Sequence, residues 1–84
     1  MKISIEFCTM WSYLPKAVRL TEELVNNFKT QIESITVIPS GGGKFEVDVD
    51  GTLIFSKKEL DRFPEDGEIS TILEEKYQLK RIEE

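Results

Sequence analysis

Histidine is absent from this chain of 84 residues, and cysteine occurs only once, at Cys8. Structural zinc, iron–sulfur and haem sites are built mainly from Cys and His ligands, so such sites within one chain are excluded. A single cysteine cannot form an internal disulfide, and an unpaired thiol is typical of a reducing compartment. We therefore expect no metal site, no cofactor and a cytoplasmic location.

Long apolar runs and an excess of positive charge are missing as well. Spanning a bilayer takes roughly 20 consecutive apolar residues, and the apolar runs of this sequence are only a few residues long. At the N-terminus, Lys2, Ser4 and Glu6 interrupt what would be the apolar core of a signal peptide, so we expect none there. Acidic residues outnumber basic ones by 16 to 11, which gives a net charge of −5. Nucleic-acid binding uses clustered Lys and Arg, so we expect neither a membrane nor a nucleic-acid partner. The length predicts one domain, 1–84.

Alternating apolar and polar residues predict four strands. The first covers Lys2 to Phe7, the second Glu33 to Ile38, the third Lys44 to Val49 and the fourth Thr52 to Ser56. Between the last two strands, the pair Asp50-Gly51 predicts a two-residue hairpin turn of type I′.

Two helices are predicted from apolar residues that recur with the period of a helix. The first begins near Ser12 as N-cap, carries Pro15 in its first turn, and is expected to bury Leu14, Ala17, Val18, Leu24, Val25 and Phe28. The second covers about Glu68 to Arg81 and is expected to bury Ile69, Ile72, Leu73 and Tyr77. Lys57 to Gly67 is interpreted as an irregular connection.

The predicted order β-α-β-β-β-α indicates an α/β fold of the thioredoxin-like type. The first two strands should be parallel and joined by a right-handed crossover. We expect a four-stranded mixed sheet in the order 2-1-3-4 with both helices on one face. This order places Cys8 at the carboxyl end of a central strand, where open α/β sheets bind ligands.

Cys8 is the candidate catalytic residue. A thiol between a strand and a helix lies near the helix N-terminus, whose free N–H groups favour the thiolate that attacks disulfides. A second thiol would be needed at position 11, which is occupied by Trp11. The alternative is that Cys8 is a buried small apolar residue without chemistry.

Three segments of the sequence resemble the selenoprotein W, T and H group of thioredoxin-like proteins, the Rdx family. They are Phe7-Cys8 followed by residues 12–17 (SYLPKA), residues 39–47 (PSGGGKFEV) and residues 50–58 (DGTLIFSKK) with Phe63-Pro64 beyond. The resemblance implies a thiol redox protein linked to glutathione and cell redox homeostasis, with a family motif of Cys-x-x-Sec or Cys-x-x-Cys. Only Cys8 matches a redox position of that motif, because Trp11 stands at the other.

Candidate binding residues surround Cys8 in this interpretation. They are Thr9, Met10 and Trp11 after the first strand, and Ser40, Gly41, Gly42 and Gly43 before the third. Trp11 could form an apolar docking patch with Met10 and Tyr13, or pack over the helix start and shield the thiol. The glycine turn could present backbone groups to a bound peptide, or be a plain flexible turn.

Two classes of function remain open from the sequence. In the first, Cys8 forms a mixed disulfide with glutathione or a protein thiol, so the chain acts as a one-cysteine oxidoreductase. In the second, the chain is a redox-inactive binding module that uses the Trp11 surface. We expect a monomer or a weak dimer, and a disulfide between two copies of Cys8 is a third option.

Overall fold

The structure, a computed structural model, describes residues 1–82. Its strands are β1 (Lys2–Cys8), β2 (Ser34–Ser40), β3 (Phe45–Val49) and β4 (Thr52–Ser56). Its α-helices are α1 (Leu14–Phe28), α2 (Lys57–Leu60) and α3 (Glu68–Tyr77), and a 3₁₀ turn, Lys29–Gln31, follows α1. Within this described range, every helix is too short or too polar to cross a bilayer. Residues 83 and 84 of the predicted domain lie outside it.

The four strands form one mixed sheet in the order β2-β1-β3-β4. The central strand β1 is parallel to β2 and antiparallel to β3, and β4 is antiparallel to β3. Asp50 and Gly51 join β3 to β4 with φ angles of 50° and 85°, the left-handed pair that a type I′ turn requires. The predicted fold class and strand order are therefore confirmed.

Among residues 1–82, one apolar core lies between the sheet and the helices α1 and α3. Alternate residues of β1 and β3 point into it, together with Phe55 of β4 and one face each of α1 and α3. Its fully buried members are Ile3, Ile5, Ala17, Leu24, Phe28, Phe45, Val47, Val49, Ile69 and Leu73. Both helices thus cover the same face of the sheet, as predicted.

The predicted start and buried face of the first helix were partly wrong. α1 begins at Leu14 with Tyr13 as N-cap, and no side chain caps it. Ser12 instead has a φ of 59°, a left-handed conformation outside the helix. Leu14, Val18 and Val25 are each about half exposed. The helix period therefore predicted a wider apolar face than the sheet covers, and Leu20 is buried in their place.

Other predicted boundaries shift by a few residues. β2 continues through Pro39 to Ser40, which is possible because β2 is an edge strand and a proline there need not donate a ladder bond. The predicted irregular connection contains α2, whose first turn is capped by the Ser56 hydroxyl accepting from the Glu59 N–H at 3.4 Å. α3 ends at Tyr77, because Gln78 adopts a left-handed conformation.

Candidate functional site

Cys8 is the last residue of β1 and is held from both sides by neighbouring strands. It is the register partner of Ser40 on β2. Its N–H donates to the Lys44 carbonyl at 2.8 Å, just before β3 begins. The next residue, Thr9, donates its N–H to the Ser40 carbonyl at 3.1 Å and its hydroxyl to the same oxygen at 3.3 Å. The backbone at Cys8 is therefore fixed within the sheet.

The Cys8 side chain is a free thiol that is 0% exposed. Successive side chains of a strand point to opposite faces of the sheet, and Phe7 points toward the helices. The Cys8 side chain is therefore expected on the other face, and Cys8 is not among the members of the apolar core. The sequence predicted a loop position at the mouth of the first helix. In the structure Cys8 belongs to β1, and five residues (9–13) separate it from Leu14, where α1 starts.

The turn after Cys8 presents two large apolar side chains to solvent. Met10 is 76% exposed and Trp11 is 67% exposed. Trp11 therefore does not pack into the helix start, and of the two predicted roles its exposure fits the docking patch. Tyr13 is not a full member of that patch, since it is half-buried and packs against the apolar core.

The glycine turn determines where β3 starts relative to Cys8. Gly42 and Gly43 have φ angles of 68° and 71°, which side chains with a Cβ rarely adopt. The Lys44 N–H donates to the Gly41 carbonyl at 3.4 Å, and the Lys44 carbonyl then accepts from Cys8. The turn thus touches the candidate site through the backbone of Lys44.

Of the predicted binding residues, Ser40 is the register partner of Cys8 on β2, and Thr9, the next residue in the chain, donates to the Ser40 carbonyl. Gly41 contacts the site through Lys44, and Gly42 and Gly43 shape that turn. The exposed pair Met10 and Trp11 follows Thr9 in the chain. All are at the end of the sheet where β1 stops and β3 begins.

An aromatic cluster beside the site was not predicted. Phe63 packs edge to face on Tyr13, with ring centroids 4.7 Å apart, and on Phe45 at 5.4 Å. The Lys16 ammonium lies 4.6 Å from the Phe63 centroid, and that of Lys57 lies 5.4 Å away. The sequence signal for this cluster was Phe63 itself, a large apolar residue within the polar connection from Lys57 to Gly67.

Two ion pairs balance charge at this end of the molecule. The Lys44 ammonium lies 3.5 Å from the Glu6 carboxylate, so the acidic residue two positions before Cys8 is partly neutralised. Arg62 donates two hydrogen bonds to Glu68, at 2.6 and 2.8 Å, which lowers the pKa of Glu68 and raises the pKa of Arg62. This second pair spans the connection that carries Phe63.

Among residues 1–82, the Cys, Asp and Glu side chains form no group of three that could hold a metal ion. The reactive group at this site is therefore the Cys8 thiol. The exposed apolar turn beside it offers a contact surface.

Comparison with known proteins supplies a family and two structural relatives. The sequence profile of the Rdx family matches residues 2–75. A selenoprotein W-related protein from Vibrio cholerae has 28% sequence identity and a TM-score of 0.80, covering 83% of this chain and 88% of its own. A protein from Bordetella parapertussis, with 23% identity, shares the fold with a TM-score of 0.85 over 89% of this chain and 95% of its own. No curated protein sequence matched the chain.

Proposed function

The chain belongs to the Rdx family of thioredoxin-like redox proteins, and on that basis we propose that it is a thiol redox protein that acts through Cys8 alone. The observation that carries the proposal is the position of Cys8 at the carboxyl end of the central strand, between the 9–13 turn and the glycine turn. Family membership supplies the class of chemistry, and the residues around Cys8 supply the mechanism.

The proposed reaction is thiol–disulfide exchange with glutathione or a protein thiol. The Cys8 thiolate attacks the glutathione sulfur of a glutathionylated protein, a mixed disulfide between Cys8 and glutathione forms, and the protein thiolate leaves. A second glutathione thiolate then attacks the glutathione sulfur of the mixed disulfide, which regenerates Cys8 and oxidised glutathione. Trp11 cannot resolve the mixed disulfide because it has no thiol, so the resolving thiol must come from outside the chain.

The burial of Cys8 sets a condition on this reaction. A thiol that is 0% exposed must become accessible before it can attack. The neighbouring turn is suited to such a movement, because Met10 and Trp11 lie mostly in solvent and contribute nothing to the apolar core. Thr9 would have to release the Ser40 carbonyl for the turn to swing away.

Intact mass spectrometry after incubation with oxidised glutathione tests the proposal. We expect wild-type protein to gain the mass of one glutathionyl group and to lose it again when reduced glutathione is added. The Cys8→Ala variant is the matched control and should gain nothing. Wild-type protein that stays unmodified while folded, but is modified in denaturant, would refute the redox proposal.

A second candidate function is a redox-inactive binding module, favoured by the contrast between the buried thiol and the exposed Trp11. Because Trp11 is the only tryptophan in the chain, its fluorescence reports directly on that surface. If the protein binds without chemistry, reduced glutathione or a thiol-free peptide should shift the emission of the Cys8→Ala variant as much as that of wild type. A response that requires Cys8 would instead support thiol exchange.

The proposed chemistry also favours a cytoplasmic location. A single thiol with no internal partner stays reduced in a glutathione-rich compartment and can be regenerated there. Protein thiols of that compartment are then the natural alternative partners to glutathione.

A further inference from the structure

Among residues 1–82, no strand pairs with the outer edge of the sheet at β2. The Thr9 N–H donates to the Ser40 carbonyl, so the backbone polar groups of Ser40 face β1. Because successive residues of a strand point these groups to opposite sides, those of Ile35, Val37 and Pro39 face outward. The edge therefore offers two N–H donors, at Ile35 and Val37, and three carbonyl acceptors.

The opposite edge, β4, is protected by features that β2 lacks. β4 has five residues and a bulge, since Val47 pairs with Phe55 and Asp48 with Leu53, leaving Ile54 without a partner. Bulges twist an edge away from further pairing. β2 has seven residues in unbroken register and no charged side chain between Ser34 and Ser40. Its one protective feature is Pro39, which lies near its end.

An apolar strip on α1 runs beside this open edge. Leu14, Val18 and Val25 are spaced at helical intervals and are each about half exposed. A shallow groove joins the two layers, with Val25 on one wall and Ile35 on the other. Both the helix layer and the sheet layer thus expose apolar side chains on the same side of the molecule.

We propose that this side binds a second copy of the chain, with β2 pairing antiparallel to β2 of the second copy about a two-fold axis at Val37. In that register each Val37 N–H donates to the Val37 carbonyl of the other copy, and each Ile35 N–H donates to a Pro39 carbonyl. The missing N–H of Pro39 falls at the ends of the pairing, away from the axis. The result is a continuous eight-stranded sheet with an isologous interface.

The charge pattern of the strand favours a copy of itself over a charged partner. Antiparallel pairing about Val37 brings an uncharged strand against an uncharged strand, so no like charges oppose each other across the ladder. The two-fold axis also places both α1 helices on the same face of the eight-stranded sheet, because the axis runs perpendicular to the sheet. In the proposed dimer the flank of each α1 that carries Val25, which lies beside Ile35 of β2, faces the axis.

Sedimentation velocity across a wide range of protein concentration tests the proposal. We expect wild-type protein to shift from monomer to dimer as the concentration rises. Val37→Pro removes an outward N–H that β1 does not use, and Val18→Glu places a charge on the helix strip; each should weaken dimerisation at least tenfold, about 1.4 kcal/mol. Leu53→Lys, on the other edge strand, is the matched control and should dimerise like wild type.

Circular dichroism and thermal melts at a concentration where wild type is monomeric confirm that each variant folds. A wild-type protein that stays monomeric at the highest concentration would overturn the proposal. So would a dimer that survives both Val37→Pro and Val18→Glu, or one that Leu53→Lys dissociates. Dimerisation of the Cys8→Ala variant separates this interface from a disulfide between two copies of Cys8.

Discussion

The rings of Tyr13 and Phe63 meet edge to face, with centroids 4.7 Å apart and planes at 84°. Tyr13 is the N-cap of α1, and Phe63 lies in the connection between α2 and α3. The contact therefore fixes the far end of the turn that begins just after Cys8. Its near end is fixed by Thr9, which donates to the Ser40 carbonyl.

Replacing Phe63 with Ala should loosen this end of the molecule. Loss of the ring contacts with Tyr13 and Phe45 should lower the free energy of unfolding by about 1–3 kcal/mol, because Phe63 is only partly buried. We also expect the native protein to be alkylated faster at Cys8. Chemical denaturation measures the first effect and mass spectrometry of iodoacetamide labelling the second.

The control for this prediction is Phe63→Leu, which keeps apolar volume but loses the ring contacts. It should destabilise the protein less than Phe63→Ala does. If Phe63→Ala left both stability and labelling unchanged, the cluster would have no role in holding the turn.

The glycine turn supplies a prediction with a control in the same segment. Gly43→Ala forces a residue with a Cβ to a φ of 71°, which should cost about 1 kcal/mol of folding stability. Gly41 does not have a positive φ and has open space where a Cβ would lie, so Gly41→Ala should be close to neutral. Urea denaturation of both variants checks the difference, and equal stabilities would contradict it.

The Arg62–Glu68 pair predicts a pH dependence of stability. Hydrogen bonds from Arg62 lower the pKa of Glu68 in the folded state, so the ionised form stabilises the fold above the usual Glu pKa of about 4.3. The contribution is lost as the pH falls through the lowered folded-state pKa. Glu68→Gln should therefore reduce thermal stability at pH 7 and leave it almost unchanged in strong acid.

Glu65→Gln is the matched control for this effect. The backbone N–H of Glu65 donates to Glu68 at 2.9 Å, and the substitution leaves that bond in place. Thermal melts from pH 2 to 7 should show a gap between Glu68→Gln and wild type that closes in acid, and no such gap for Glu65→Gln. A gap of constant size for Glu68→Gln would contradict the assignment.

Trp11 should be nearly irrelevant to stability despite its size. Since it is 67% exposed, Trp11→Ala should change the free energy of unfolding by no more than about 0.5 kcal/mol. Leu24→Ala, in the core, should cost about 2–5 kcal/mol by comparison. A large loss from Trp11→Ala in chemical denaturation would mean that Trp11 has a structural role.

Much of the fold could be predicted because local signals agreed with each other. The alternation in β1 and β3 determined which residues face the core, and Asp50-Gly51 determined the hairpin register from the turn as far as the bulge at Ile54. The helix period was less informative, because it cannot tell how much of an apolar face the sheet covers. Val18 and Val25 follow the period of a buried face, and yet each is about half exposed.

The site was less predictable than the fold. The sequence placed Cys8 after the first strand but could not tell that β1 would extend to include it, or that its side chain would be fully buried. Those outcomes depend on the long-range bonds from Cys8 to Lys44 and from Thr9 to Ser40. The role of Phe63 was missed for the same reason, since its partners lie far away in sequence.

The most direct test of a functional Cys8 is the rate at which iodoacetamide labels it in the folded protein, compared with the rate in denaturant. We expect native Cys8 to react much faster than global unfolding would allow, because the 9–13 turn opens while the core stays folded. Hydrogen exchange of core amides measures the free energy of global unfolding in the same buffer, and multiplying the unfolded fraction by the labelling rate in denaturant gives the rate expected from global unfolding alone. Labelling no faster than that rate would mean that the thiol is inaccessible in the native state, and would contradict a functional Cys8.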